Sequence, residues 1–318
     1  MSVALLFSPQ GSQSIGMGRD LAERWPEAAA VYETADRELP WSVSRTCWEG
    51  PEERLNDTRQ TQPCLVATSL AALAALRAEI DPAPAFVAGH SVGEYAALVA
   101  AGVLDTGEAL RLVARRGELM ADAALEGGMC AVIGLDRAAV AEVVAGSTFS
   151  GQLVVANDNA PGQVVISGAS AAVLEEASAA LRRAGARRVL PLKVSGPFHS
   201  PLMSGVGAAL ADAFATARWT DATVPVVSNV TGEPLRDAVE IRALLARQVS
   251  SPVEWVRSVR RMAADGVDVF VELGPGTALS GMVKRIVPEA RTLNVADAGS
   301  LASAVEALSA EREASVRA

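Results

Sequence analysis

The chain has 318 residues, 50% of them hydrophobic, and 28 basic against 37 acidic side chains give it a net charge of −9. That length and apolar content suffice for one large domain with an insert or for two domains, and the acidic balance argues against a general nucleic-acid binder. Cys47, Cys64 and Cys130 are widely spaced with no Cys-x-x-Cys pair, so neither a disulfide framework nor a zinc site is implied, and no metal ligand set is expected.

In chain order, Val3 to Phe7 reads as a buried strand that ends in Ser8-Pro9-Gln10-Gly11-Ser12-Gln13. That loop, rich in amides and hydroxyls, is either an ordinary polar connection or a means of placing a backbone N–H at a site. A helix follows over 20–35, and Glu49-Gly50-Pro51 makes a turn. Thr61-Gln62-Pro63 then opens a long helix to about Glu79, with the proline in its first turn. The stretch from Cys64 to Leu76 is interrupted by Thr68 and Ser69 and is too short to span a bilayer. Met1 to Phe7 lacks the basic region and apolar length of a signal, so cytoplasmic residence without a membrane partner is expected.

The most informative stretch is Phe86-Val87-Ala88-Gly89-His90-Ser91-Val92-Gly93-Glu94, followed by an Ala-rich helical run closed by Gly102. A short apolar strand, then Gly-x-Ser-x-Gly, then a helix, is the pattern of a nucleophile elbow with Ser91 at its tip. Side chains at 89 and 93 would collide with the neighbouring strand and helix, and the helix N-terminus behind Ser91 favours a developing oxyanion.

The helix from Thr106 to Ala124 has an apolar face of Ala109, Leu112, Val113, Leu119, Met120 and Ala123, and Arg116 falls in the middle of it. A guanidinium keeps its charge, so a buried one needs an anion. Either an internal carboxylate or a ligand supplies it.

From Gly127 six short elements follow in the order strand (129–134), helix (137–145), strands (153–156 and 164–167), helix (171–184) and strand (187–194), which is the βαββαβ order of a ferredoxin-like unit. Residues 127–196 are read as a small domain inserted into an α/β hydrolase-like core of 1–126 and 197–318 with a mostly parallel sheet. Between its central strands, Asn157 to Gln163 forms a turn that serves either binding or loop capping. After Gly196-Pro197-Phe198-His199-Ser200 the α/β character returns. A strand lies at 224–227, helices at 241–249 and 253–264, and a strand at 267–273; Gly274-Pro275-Gly276 then turns into a helix ending near Ile286. A strand near Leu293 and a helix over 302–310 close the chain.

A serine hydroxyl needs a base within hydrogen-bond reach, and the chain has only two histidines. His90 adjoins Ser91, where successive side chains diverge, so it is expected to pack beneath the turn. His199, in a Gly/Pro-bounded loop where the two domains meet, is the better general base. No histidine follows it, which departs from the serine, acid, late-histidine order of α/β hydrolases and weakens an esterase reading.

Together these motifs resemble the malonyl-CoA:acyl carrier protein transacylase family over nearly the whole chain. The resemblance rests on Gly89-His90-Ser91-Val92-Gly93-Glu94, on Arg115-Arg116-Gly117 with Met120, and on Asn157-x-Asn159-x-Pro161-Gly162-Gln163. It rests also on Gly196-Pro197-Phe198-His199-Ser200, Gln248 before Ser251-Pro252-Val253, and Glu272-Leu273-Gly274-Pro275-Gly276. It implies that Ser91 takes malonyl from coenzyme A as an ester and passes it to the phosphopantetheine thiol of acyl carrier protein, for fatty acid synthesis. His199 would be the base, oriented by the Gln248 carbonyl, with Arg116 on the malonyl carboxylate and the N–H groups of Gln10 and Val92 as the oxyanion hole. Phe198 resembles the malonyl-selecting pattern, and Asn157 lies in a family segment assigned to substrate binding. The coenzyme A thioester enters as substrate; no bound cofactor is expected, and the protein is expected to be a monomer. Two other activities share these residues, a discrete acyltransferase of a polyketide synthase and a hydrolase of acyl thioesters. One departure concerns the first loop, where the family's Phe-Pro-Gly-Gln-Gly is Phe7-Ser8-Pro9-Gln10-Gly11. Pro9 fixes φ there and excludes glycine-like dihedrals.

Overall fold

The computed structural model describes residues 1–123, 126–146 and 151–317. Strand β1 (Val3–Phe7) leads into α1 (Arg19–Arg24), α2 (Pro26–Glu38), α3 (Val43–Glu49), α4 (Glu52–Leu55) and α5 (Thr58–Glu79); β2 (Phe86–Gly89), α6 (Gly93–Ala100) and α7 (Thr106–Asp122) follow. Next come β3 (Gly128–Ile133), α8 (Arg137–Ala145), β4 (Leu153–Ala160), β5 (Gln163–Gly168), α9 (Ala171–Arg183) and β6 (Arg188–Pro191). The chain then runs through α10 (Ser204–Ala215), β7 (Val226–Val227), β8 (Pro234–Leu235), α11 (Ala238–Gln248), α12 (Trp255–Ala264), β9 (Val269–Leu273), α13 (Ala278–Ile286), β10 (Arg291–Val295) and α14 (Ala298–Arg317).

Six strands form the main sheet in the order β10-β9-β1-β2-β7-β8. Every pair is parallel except β7 with β8. Phe7 of β1 is level with Gly89 of β2 and with Leu273 of β9, so three central strands end together and their following loops share one edge. A crevice outside the carboxyl ends of parallel strands is where α/β sheets gather their ligands. Alternate β1 residues serve the two faces, as pleating requires. Val3, Leu5 and Phe7 enter the larger core with α5, α6 and α7, while Ala4 and Leu6 enter a second core with Trp255, Val259 and Phe270.

A second, antiparallel sheet has the order β4-β5-β3-β6 and its own apolar core of Val132, Val140, Ile166 and Leu181. It is tied to the main body through backbone bonds from Val253 N–H to the Ala156 carbonyl (2.9 Å) and from Asp158 N–H to the Val253 carbonyl (3.0 Å). The Arg137 guanidinium, bonded to the Glu254 carboxylate, reinforces the same seam.

Several boundaries differ from the sequence reading for local reasons. The helix expected over 20–35 is two helices, because Pro26 forces the preceding Trp25 into an extended conformation (φ −117, ψ 111) and then opens α2 itself. The long helix begins at Thr58, where the Asp57 carboxylate caps the Arg59 N–H, so Pro63 sits inside it rather than in the first turn. Strand β4 continues through Asn157 to Ala160, leaving only Pro161 and Gly162 to turn, and so Asn157 belongs to a strand and not to a turn. Strand β6 stops at Pro191, three residues before the expected end. The short strand β8 carries no alternation long enough to be read. Ala124, the expected end of the arginine helix, lies outside the described residues.

Candidate active site

The turn after β2 is built on two glycines with no space for a side chain. A Cβ at Gly89 would lie 2.0 Å from the Gly93 carbonyl carbon, and one at Gly93 would lie 2.3 Å from the Phe7 carbonyl oxygen. Their contact lets α6 start directly over the strand and leaves Ser91 at the tip with φ +53, a left-handed conformation uncommon for a residue with a side chain. Within the turn Gly93 N–H bonds to the His90 carbonyl (3.1 Å) and Glu94 N–H to the Ser91 carbonyl (3.1 Å). The Ser91 N–H is committed to Asn229 Oδ1 at 2.6 Å. An oxyanion beside Ser91 therefore has to use other donors.

His199 reaches the elbow from a loop where it too has positive φ, +56. Its Nε2 is 2.8 Å from Ser91 Oγ, and its Nδ1 faces the carbonyls of Gln248 (3.0 Å) and Ser251 (3.2 Å). Carbonyl oxygens only accept, so Nδ1 carries the proton and Nε2 is free to accept from the serine hydroxyl. Burial, assisted by the Arg116 charge, pushes the imidazole down to about 3, which keeps it neutral at ordinary pH. His90 packs beneath the turn as expected. Its Nε2 bonds Asn159 Oδ1 (2.7 Å) and its ring lies against Trp255, centroids 5.3 Å apart.

Arg116 projects from α7 and is 1% exposed, in contrast to the exposed Arg115 beside it. One terminal nitrogen donates to Gln62 Oε1 (2.7 Å), and the other to Gln248 Oε1 (3.0 Å) and Ser91 Oγ (3.1 Å). None of these hydrogen-bond partners is a carboxylate; the buried Glu94 acts on the guanidinium through its charge without a direct bond. A charge solvated by neutral amides keeps its attraction for an incoming anion.

Gln248 joins the parts. Its carbonyl meets His199, its Oε1 meets Arg116, and its Nε2 donates to the Ser91 carbonyl (2.9 Å) and to Glu94 Oε2 (2.6 Å). Glu94 is buried, and desolvation raises its carboxyl to about 7 against the lowering influence of the Gln248 hydrogen bond and the Arg116 charge. Val92 is fully buried as the N-cap of α6, and Gln10 follows β1 at the same sheet edge. The loop that carries Pro9 is anchored one residue earlier, where Ser8 N–H and Oγ both reach the Leu273 carbonyl at 3.3 Å. Phe198 is buried beside His199, and its carbonyl accepts the Ser167 hydroxyl. Asn157 is buried and pairs with Val253 through the backbone; the side-chain bond from this segment to the elbow comes from Asn159. Glu272 caps α13 by accepting the N–H groups of Leu279 (3.0 Å) and Ser280 (2.8 Å).

Sequence reading gave no role to Gln62, Asn229, Asn159 or Ser251. No spacing rule marks a lone amide that becomes a partner only in three dimensions. Glu94 did carry a signal, since an acid at the head of the apolar run Tyr95 to Ala101 poses the same question as Arg116 does. Among the described residues no cluster of His, Cys, Asp and Glu is arranged to hold a metal ion, and no helix is long and apolar enough to cross a membrane.

A serine on a strand-to-helix turn, touching a neutral histidine whose other nitrogen is fixed by carbonyls, equips an α/β protein for nucleophilic acyl chemistry. A buried cation, Arg116, lies on the same oxygen. The chain belongs to the acyl transferase domain family, which matches residues 4–312. It is 42% identical over 314 residues to the malonyl CoA-acyl carrier protein transacylase of Bacillus subtilis, covering 98% of each chain. The crystal structure of an acyl carrier protein S-malonyltransferase from Vibrio cholerae superposes with a TM-score of 0.91 at 39% identity, over 96% of this chain and 100% of that one. A malonyl-transacylase in complex with a type II PKS acyl-carrier protein matches with a TM-score of 0.90 at 40% identity, over 96% and 99%.

Proposed function

We propose that this protein transfers malonyl from coenzyme A to the phosphopantetheine thiol of an acyl carrier protein through an ester on Ser91. The observation that carries this reading is the convergence on one oxygen, Ser91 Oγ, of His199 Nε2 at 2.8 Å and Arg116 at 3.1 Å. As Oγ attacks the thioester carbon, His199 Nε2 takes its proton and the imidazolium Nδ1–H stays bonded to the Gln248 and Ser251 carbonyls. The carbonyl oxygen becomes an oxyanion met by the N–H groups of Val92 and Gln10. Collapse expels the coenzyme A thiolate, which takes the proton back from His199. The carrier thiol then repeats the steps in reverse. Arg116 turns its two terminal nitrogens from the glutamine oxygens to the malonyl carboxylate, with Phe198 and Asn157 as further walls of the acyl site.

The same reading divides the chain into a hydrolase-like core, 1–126 with 197–318, and a ferredoxin-like insert, 127–196, with His199 just past the seam. The same reading takes the protein to act as a monomer. The carrier of fatty acid synthesis is the first reading. A polyketide carrier is the second, favoured by the similarity to the transacylase in complex with a type II PKS carrier. Intact mass after malonyl-CoA alone should show one added malonyl group, absent in Ser91→Ala, and added carriers should discharge it. An unmodified wild-type protein that still transfers would sink the covalent route, and release of free malonate in the presence of carrier would identify a hydrolase instead.

A further inference from the structure

Asn229 lies after β7, far from the elbow in sequence, and is 0% exposed. Its Oδ1 accepts the Ser91 N–H and its Nδ2 donates to the Gly89 carbonyl, both at 2.6 Å. One planar amide thus spans the two backbone groups on either side of His90. Its own backbone is held in turn, since its carbonyl accepts the Glu254 N–H (2.8 Å). We propose that Asn229 is a positioning residue that clamps the elbow, holding Ser91 in its left-handed backbone conformation so that Oγ stays on His199.

The physical case rests on strain and satisfaction. A non-glycine residue at φ +53 relaxes unless its surroundings over-determine it, and the two glycines 89 and 93 permit the turn without holding the serine. A carboxamide offers an acceptor and a donor in fixed geometry at any pH, which an ionised carboxylate of the same size does not. The clamp also consumes the Ser91 N–H, which explains why the oxyanion donors must be sought at Val92 and Gln10. The proposal takes Ser91 to be the nucleophile and needs nothing further from the malonyl reading.

The test exploits the donor and acceptor requirement. In Asn229→Asp an ionised carboxylate still accepts from Ser91 but faces the Gly89 carbonyl with an oxygen, whereas the protonated acid donates there and restores the pair. Burial raises the introduced carboxyl and the Ser91 N–H opposes that. Glu94, His199 and Arg116 face the elbow, and Glu254 with Arg137 lies behind it, so rates are taken as a ratio to wild type at each pH. The readout is labelling of Ser91 by an arylsulfonyl fluoride, which needs no malonyl group, alongside single-turnover acylation by malonyl-CoA. A misplacement of the nucleophile costs up to about a hundredfold, so both rates should be at least about tenfold low at pH 8.5 and recover severalfold toward wild type at pH 5. A lowered ratio that does not change with pH overturns the proposal, as do wild-type rates in Asn229→Ser. If that variant does not fold, Asn229→Ser, which reaches only one of the two backbone groups, should lower kcat about tenfold with KM for malonyl-CoA nearly unchanged; a raised KM with kcat intact would overturn it equally. Wild-type protein that is labelled at Ser91 but takes no malonyl group refutes the proposed function and leaves the clamp standing.

Discussion

Replacing Arg116 with alanine should change what the enzyme accepts more than how well it works. In the native site the guanidinium is buried, and it donates to the neutral oxygens of Gln62, Gln248 and Ser91. A malonyl carboxylate would exchange two amide contacts for a charge-assisted pair in a site closed to water, and in the variant it would enter with no cation to meet it. Truncating one partner of such a pair costs roughly 2–5 kcal/mol, about 30-fold to several thousand-fold in kcat/KM. Acetyl carries no carboxylate and should lose only the contact at Ser91 Oγ, about 1 kcal/mol. The assay is kcat/KM for malonyl-CoA and acetyl-CoA with one carrier, and the ratio should collapse or invert. Arg115→Ala is the control, since Arg115 is exposed and pairs with Glu118 at 3.2 Å. Equal losses for both acyl groups, with a lowered Tm, would mark Arg116 as a structural residue and refute the argument.

Gln62→Glu places a fixed carboxylate where an amide oxygen now lies 2.7 Å from Arg116, so malonyl transfer should fall by about two orders of magnitude while acetyl transfer persists; an unchanged preference would show that the charge at 116 is not what selects the acyl group. His199 titrates at 6.5 when unfolded and about 3 when folded, so the unfolded chain binds its proton first and stability is lost as pH falls from 6.5 toward 3. His199→Gln should remove that contribution and so raise stability at low pH relative to wild type in a urea-denaturation series, with Glu94, raised to about 7, acting in the opposite sense and His90 in the same sense in both proteins; for the same reason wild-type acylation of Ser91 should show no histidine inflection near 6.5. Gly93→Ala drives a Cβ to 2.3 Å from the backbone oxygen of Phe7, which cannot move aside, and should cost about 1–3 kcal/mol or more together with the activity. Gly281→Ala, which meets open space on α13, should leave both intact; similar Tm values for the two variants would undo the packing argument.

Much of the protein was legible from local chemistry. The Gly-x-Ser-x-Gly turn announced Ser91 because strand, glycine spacing and helix are all local, and the close approach of Gly89 to Gly93 is a contact between near neighbours in the chain. Arg116 stood out because helical periodicity is carried by the chain itself and a charge in an apolar stripe violates it. The βαββαβ order was readable for the same reason. What the sequence left open was every choice that depends on a long-range partner. It allowed an internal carboxylate or a ligand for Arg116, and the fold answered by bringing up Gln62 and Gln248, 54 and 132 residues away. It could not register Asn229, whose importance comes from lying opposite a turn 138 residues earlier. Nor could it fix the histidine tautomer, which depends on carbonyls contributed by the end of α11 and the segment after it. Periodicity and turn chemistry are properties of neighbours in the chain, while the polarity, charge state and orientation of a buried group are set by whatever the tertiary structure packs against it.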